Sequence, residues 1–239
     1  MPRFFLEEID KTCPKITGSD ANHIGRSLRM KPGEKLTICV SGTDYKCEIA
    51  SVTPEEVFLN ILSSEPCVAE PSIKLTLFQA MPKSDKLEQI VQKSVELGVS
   101  EIVPVITRRC ISRPSERDFS KKLERYNKIA LSAAKQSGRG MIPRVAPAVD
   151  LDTAIDRMLE TDCPAMLYEA GDIRFSQLET EGKKTFSLLV GSEGGFDPEE
   201  AEKALNAGIP SIWLGERILR YETAPLAATA ILMYLTKNL

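Results

Sequence analysis

Apolar and polar positions along the chain change rhythm near residue 70. Before that point the runs KLTICV (35–40), YKCEIASV (45–52) and VFLNIL (57–62) alternate or cluster β-forming residues. Turn-forming groups separate them, at Ser41-Gly42-Thr43-Asp44 and Thr53-Pro54-Glu55-Glu56. This texture predicts short strands, and a small closed or nearly closed β-barrel is the economical way to bury them. One helix is expected from Ser19 to Leu28, capped by Ser19 or Asp20, ahead of a Lys31-Pro32-Gly33 turn. The stretch from Glu65 to Pro71 holds Pro66 and Pro71 and reads as a linker, because proline continues neither a central strand nor a helix interior.

Beyond Pro71 strand and helix patterns alternate. A strand over Ile73 to Ala80 precedes a helix over Ser84 to Leu97, with Ser84 as cap and Gly98 as stop. A strand over Glu101 to Ile106 leads to a long helix from about Ser120 to Gln136, which buries Leu123, Tyr126, Ile129, Ala130 and Ala133. Its other side carries Lys121, Arg125, Lys128 and Lys135 in one stripe. There follow a helix near Asp152 to Leu159, strands at Ala165 to Tyr168 and Thr185 to Val190, a helix from Pro198 to Ala207, a strand over Ser211 to Leu214, and a helix from Ala224 to Thr236. Such alternation implies a mostly parallel sheet covered on both faces.

Charge sharpens this division. Net charge is −3 over residues 1–73, +8 over 74–147 and −8 over 148–239. A basic block inside an acidic chain points to a polyanion on one face, with a solvated helix face as the plain alternative. The amino end carries Arg3, Glu7, Glu8 and Asp10 where a signal peptide needs an apolar core, and no long apolar run occurs, so a cytoplasmic protein off the membrane is expected. The six cysteines, at 13, 39, 47, 67, 110 and 163, form no CxxC pair and read as reduced structural thiols, with no metal site. With His23 the single histidine, the chemistry should run without imidazole.

In an open α/β sheet, ligands bind beyond the carboxyl ends of the strands, which directs attention to the loops after Val190 and Leu214. The first, Gly191-Ser192-Glu193-Gly194-Gly195-Phe196-Asp197-Pro198-Glu199-Glu200, ends in a strong helix start with Asp197 as cap and Glu200 closing a capping box. Its glycines permit positive φ and close approach to a ligand, although a tight turn alone would also use them. Neither GxxxxGK[ST] nor GxGxxG occurs, and the acidic helix start suits a neutral or cationic ligand better than phosphate. The second loop runs Leu214-Gly215-Glu216-Arg217-Ile218-Leu219-Arg220-Tyr221-Glu222-Thr223-Ala224-Pro225. Glu222 or Thr223 would serve as a helix cap, but two arginines and a glutamate beside Ile218 and Leu219 also describe an apolar slot with polar groups at its mouth.

These two loops resemble the cofactor signature of the SPOUT methyltransferases, and most closely that of the bacterial 16S rRNA uridine-N3 methyltransferase family. The likeness extends to Lys86, to Gln92-Lys93-Ser94-Val95-Glu96-Leu97-Gly98-Val99, and to Gln136-Ser137-Gly138-Arg139 with Pro143. It reaches the amino end in Pro2-Arg3-Phe4-Phe5 and in His23 followed by Leu28-Arg29-Met30-Lys31-Pro32-Gly33, so it spans nearly the whole chain in order.

The resemblance implies a PUA-like β-barrel over residues 1–70 and, over 71–239, an α/β methyltransferase domain whose carboxyl end forms a trefoil knot, one of the few exceptions to unknotted chains. It implies a homodimer that binds S-adenosyl-L-methionine without a metal and acts on 16S rRNA, in the small ribosomal subunit, with no DNA partner. The cofactor residues it points to are Leu189, Val190, Gly191, Glu193, Gly194, Gly195, Leu214, Gly215, Arg217, Ile218, Leu219, Thr223 and Ala224. Arg108, Arg109, Arg113, Lys121, Arg125 and Lys128 become the rRNA surface, with Arg3, Arg26, Arg29 and Lys31 added by the barrel.

Methylation at uridine N3 requires loss of the imide proton and leaves a delocalised anion, so a base and a cation are wanted. Glu222 is the expected base, with Arg220, Arg139 or Arg3 to stabilise the anion. Two departures from the family stand out: Tyr221 where a threonine is usual, and Glu216 where proline or lysine is common. Tyr221 would reshape the uridine pocket or stack on the base. The rival readings are a sister enzyme acting on a ribose 2′-hydroxyl or another base, a non-catalytic rRNA-binding assembly factor, and a small-molecule α/β enzyme, the last disfavoured by the basic block and the barrel.

Overall fold

A computed structural model describes residues 1–83 and 86–239. The chain divides into two compact units, residues 1–70 with 134–142, and residues 71–133 with 143–239.

The first unit contains β1 (Arg3–Phe5), β2 (Lys15–Thr17), α1 (Gly18–Asn22), β3 (Lys35–Val40), β4 (Thr43–Val52) and β5 (Glu56–Pro66). They form one sheet in the order β1-β3-β4-β5-β2, antiparallel except for the β1–β3 pair. Phe4, Ile16, Ile24, Leu36, Ile38, Ile49 and Val57 make its core. Register shifts between Lys46 and Cys47 and between Ile49 and Ser51 bend β4, which lets a short sheet turn about that core. The ladder leaves β1 and β2 as its edges, so the expected barrel is a five-stranded sheet without a closing pair.

Local chemistry explains where this unit departs from expectation. Ser41 and Gly42 both take positive φ (46° and 82°), so the hairpin turn needs only two residues and β4 already begins at Thr43. The linker is shorter than Glu65 to Pro71, because β5 continues through Pro66; β5 pairs with β2 only at Glu56 to Phe58, and a terminal proline with a neighbour on one side breaks no ladder. The helix expected from Ser19 to Leu28 is α-helical only to Asn22 and continues as a wider π-type turn, His23–Ser27. Neither Ser19 nor Asp20 caps it: the cap position is Thr17, without a side-chain bond, and Asp20 pairs with Lys135 at 3.4 Å. Strands β1 and β2 are too short to show an alternation in sequence.

The second unit contains β6 (Lys74–Ala80), α2 (Leu87–Glu96), β7 (Glu101–Ile106), α3 (Glu116–Ser137), β8 (Arg144–Val145), β9 (Val149–Asp150), α4 (Leu151–Leu159), β10 (Cys163–Leu167), β11 (Thr185–Val190), α5 (Pro198–Asn206), β12 (Ser211–Ile212) and α6 (Ala224–Leu235). The sheet runs β12-β10-β11-β6-β7-β8, with β9 also on β7, and every pair is parallel. A core of Phe78, Val103, Val105, Ile155, Met166 and Leu189 lies beneath its helices. The cap expected at Ser84 lies outside the described residues. Gly98 stops α2 with φ of +104°, and Asp197 and Glu200 form the expected capping box on α5, with Pro198 in its first turn.

Two elements differ where the site is built. β12 ends at Ile212, which frees Trp213 and Leu214 to line a cavity, and α6 begins after Thr223 with no side-chain cap from either Glu222 or Thr223. Among the described residues no helix is long and apolar enough to cross a membrane.

Candidate functional site

Because every strand of the second sheet runs the same way, the carboxyl ends of β6, β11, β10 and β12 lie at one edge. A cavity of about 790 Å³ opens there. Its walls come from the segments that follow those strands: Lys86, Leu167 to Glu169, Val190 to Glu193 with Gly195 and Phe196, and Ile212 to Glu222 with Ala224. The rule that directs ligands to strand carboxyl ends therefore holds for four strands.

Backbone shape makes the first wall. Gly195 donates its N–H to the Ser192 carbonyl at 2.9 Å, closing a tight turn after β11. A Cβ on Gly191 would stand 3.1 Å from the Gly195 Cα, so any side chain there would have to push the Gly195 backbone aside. In the second wall Gly215 takes φ of +114°, while the Arg220 carbonyl accepts from the N–H groups of Thr223 and Ala224 at 2.8 and 2.9 Å and turns the chain into α6.

Polar groups gather on one side. Lys86 Nζ lies 3.9 Å from Glu222 Oε1 and 5.0 Å from the centroid of the Tyr221 ring. Among the described residues, Glu222 Oε2, the Tyr221 hydroxyl and Ser192 Oγ are buried and find no hydrogen-bond partner. Burial, and then the neighbouring Glu222 and Glu193 carboxylates, push the Tyr221 phenol up to about 12. Glu193 accepts the Lys83 N–H at 2.9 Å, and Glu169 and Glu216 add acidic groups to the lining. Unpartnered polar atoms, a glycine cradle and a lining that sets Glu169, Glu193, Glu216 and Glu222 against Lys86, Arg217 and Arg220 form a site for a ligand that carries hydrogen-bonding groups and charge.

Of the residues expected at the cofactor, Val190, Gly191, Glu193, Gly195, Leu214, Gly215, Arg217, Ile218, Leu219 and Ala224 line this cavity. Leu189 is buried in the core, Gly194 carries the carbonyl that Arg109 binds at 2.8 Å, and Thr223 occupies the α6 cap position. Ile218 is 86% exposed and so stands at the rim instead of deep in a slot. Arg220 and Glu222 share the cavity. Arg139 does not line it: it is buried in the first unit and bonded to Glu70 at 2.6 and 2.9 Å. Leu167, Tyr168, Glu169, Phe196 and Trp213 were not expected, although the same strand-end rule applied to β10 would have found the first three.

The cations expected at RNA divide into two groups. Arg3 forms a two-pronged, largely buried pair with Asp44 at 2.7 and 2.8 Å. Arg108 is bridged to Asp197 and Glu199, Arg113 donates to the carbonyls of Thr107, Arg108 and Cys110, and Arg125 pairs with Glu88 at 2.8 Å. Arg26, Arg29, Lys31, Lys121 and Lys128 are exposed.

Residues 69–233 match the model of an RNA methyltransferase domain, and residues 16–62 that of an RNA methyltransferase PUA domain. Ribosomal RNA small subunit methyltransferase E of Bacillus subtilis is 34% identical, over 100% of this chain and 98% of that protein. The chain belongs to the ribosomal RNA small subunit methyltransferase E family. The family's member from Mesomycoplasma hyopneumoniae is 30% identical, over 95% of this chain and 96% of its own length. Among solved structures, the Neisseria gonorrhoeae methyltransferase E bound to S-adenosyl methionine matches with a TM-score of 0.86 at 32% identity, over 98% of each chain. A methyltransferase of Legionella pneumophila, in complex with the same cofactor, matches with a TM-score of 0.84 at 30% identity, over 98% of this chain and 97% of that one. Family membership thus accounts for both units, a PUA-like first unit and an α/β methyltransferase second unit.

Proposed function

We propose that this protein binds S-adenosyl-L-methionine in the cavity at the carboxyl edge of its second sheet and methylates N3 of a uridine in 16S rRNA, within the assembled small subunit. The observation that carries the reading is the juxtaposition, in one glycine-cradled cavity, of the Glu222 carboxylate, the Arg220 side chain and the further carboxylates of Glu169, Glu193 and Glu216. Similarity to proteins solved with S-adenosyl methionine supports the choice of cofactor.

The cavity fits that cofactor. Glu169, Glu193 and Glu216 favour a cationic ligand, and Val190, Leu214, Leu219 and the glycine backbone offer apolar surface and main-chain groups to an adenosine. When bound, S-adenosylmethionine supplies an electrophilic methyl group. Glu222 accepts the proton from uridine N3, and its buried Oε2, without a hydrogen-bond partner among the described residues, is the oxygen left unsatisfied until a ligand reaches the wall. Arg220 stabilises the negative charge that spreads onto the uracil carbonyl oxygens. The walls hold the acceptor nitrogen in line with the methyl group, which lowers the entropic part of the barrier.

A knotted carboxyl end agrees with the strand order. The chain leaves β12 at the sheet edge, and α6 packs on β11 and α2 nearer the centre, which supports a return of residues 213–223 across the strand ends. A homodimer is supported by α6, where Ala227, Ala230, Ile231 and Tyr234 form a stripe left partly or wholly open. Exposed Lys121 and Lys128, with Arg26, Arg29 and Lys31, are the groups for the rRNA backbone.

The test is transfer of labelled methyl from S-adenosylmethionine to small subunits from a strain lacking its own enzyme of this type, followed by nucleoside analysis. The expected product is 3-methyluridine in 16S rRNA. Any other methylated nucleoside overturns the assignment of the acceptor atom. Glu222→Gln should lower kcat by about 10²-fold or more while cofactor affinity holds, and full turnover would exclude Glu222 as base.

A further inference from the structure

Tyr221 is 8% exposed and lines the cavity next to Glu222, yet its hydroxyl, closed off from solvent, has no hydrogen-bond partner among the described residues. A buried phenol normally keeps its oxygen bonded, because desolvating it otherwise brings no return. The orphan phenol and the orphan Glu222 Oε2 belong to adjacent residues of one cavity wall, and Lys86 holds the pair from the side, 3.9 Å from the carboxylate and 5.0 Å from the ring centroid.

We infer that Tyr221 is a substrate-reading residue: its hydroxyl donates a hydrogen bond to the uracil carbonyl beside N3, while Glu222 accepts the N3 proton. The inference rests on the uridine reading above and adds to it the group that selects the base. The edge of uracil around N3 presents a donor N–H flanked by acceptor carbonyls. An adjacent acceptor and donor on the protein complement that pattern. Cytosine offers the reverse, a lone pair at N3 and a donor amine beside it, so Glu222 would face a lone pair and the phenol a donor. A site built on such pairing rejects the mismatched base strongly, because its own buried groups are then left unpaired.

Two further features agree. The phenol is held in its neutral, donating form well beyond physiological pH by burial and by the carboxylates of Glu222 and Glu193. As the N3 proton leaves, charge grows on the carbonyl oxygens, so the phenol bond strengthens during the reaction and acts on turnover more than on binding.

The test is Tyr221→Phe, which keeps the ring under Lys86 and removes one oxygen. With small subunits and labelled S-adenosylmethionine, kcat should fall by about 100- to 1000-fold, the order seen when one donor to a developing oxyanion is lost, with KM for subunits changing much less, as for an interaction that strengthens in the transition state. S-adenosylhomocysteine affinity and melting temperature should match the parent protein. Turnover of Tyr221→Phe within twofold of the parent overturns the inference, and so does a matching loss of cofactor affinity, which would assign Tyr221 to the cofactor wall. If the parent protein makes no 3-methyluridine, the uridine reading falls and this inference with it; if the parent makes 3-methyluridine and Tyr221→Phe is unimpaired, only this inference falls.

Discussion

Lys86 and Glu222 stand 136 positions apart in the chain, yet their charged groups meet 3.9 Å apart at the wall of the cavity. Half of the Lys86 side chain is open to solvent, and exposed pairs of this kind add only about 0–1 kcal/mol to stability. Their contribution should lie in holding the carboxylate. Lys86→Met is expected to leave the urea midpoint of unfolding nearly unchanged and to lower kcat for methyl transfer by about tenfold, equivalent to about 1.4 kcal/mol of transition-state stabilisation. Equal losses in stability and rate would contradict this.

Arg139 gives the opposite expectation. It is 2% exposed and clamped to Glu70, whose carboxylate also accepts the N–H groups of Gly140 and Met141 at 3.1 and 3.2 Å. Breaking such a buried pair from one side costs about 3–5 kcal/mol. Arg139→Met should therefore lower stability by that order in chemical denaturation, while Glu222→Gln lowers turnover and leaves the denaturation curve in place.

Acid should weaken the first unit through Asp44. Burial works to raise this carboxyl, but the bonds from Arg3 and Cys39 outweigh burial and hold it below the ordinary carboxylate range. A carboxyl lowered in the folded state stabilises above its unfolded pKa of about 3.9 and loses that contribution as pH falls through the lower folded value. Unfolding free energy measured from pH 7 downward should hold and then drop below about pH 4. In Asp44→Asn that drop should shrink, with stability at pH 7 already lower by about 3 kcal/mol because Arg3 is left buried and unpaired.

The single tryptophan, Trp213, lines the cavity, with the Arg174 guanidinium 5.2 Å from its ring. Its fluorescence should therefore change on titration with S-adenosylhomocysteine and report cofactor affinity directly. In Gly191→Ala the added carbon meets Gly195 at 3.1 Å, and the titration should shift to at least about tenfold weaker binding, the 1.4 kcal/mol equivalent of a displaced turn. An unchanged midpoint would show that the turn after β11 does not shape the site.

The α/β alternation beyond residue 71, the capping box on α5 and the two loops that wall the cavity were legible along the chain. Each of these depends on residues near one another in the chain, where periodicity, caps and glycine chemistry act. The family could be read from the same motifs in order. Which charges are paired inside the protein depended on how the folded chain brings distant segments together. The +8 block looked like one basic face, but Arg108, Arg113 and Arg125 find carboxylates or carbonyls in the fold, and Arg139 is bound by Glu70. Three of those four arginines meet acidic partners 37 to 91 positions away, and counting along the chain cannot see them. The same reason hid Trp213 and the third cavity wall after β10: a site at the edge of a parallel sheet is assembled from strand ends that are neighbours in space and strangers in sequence.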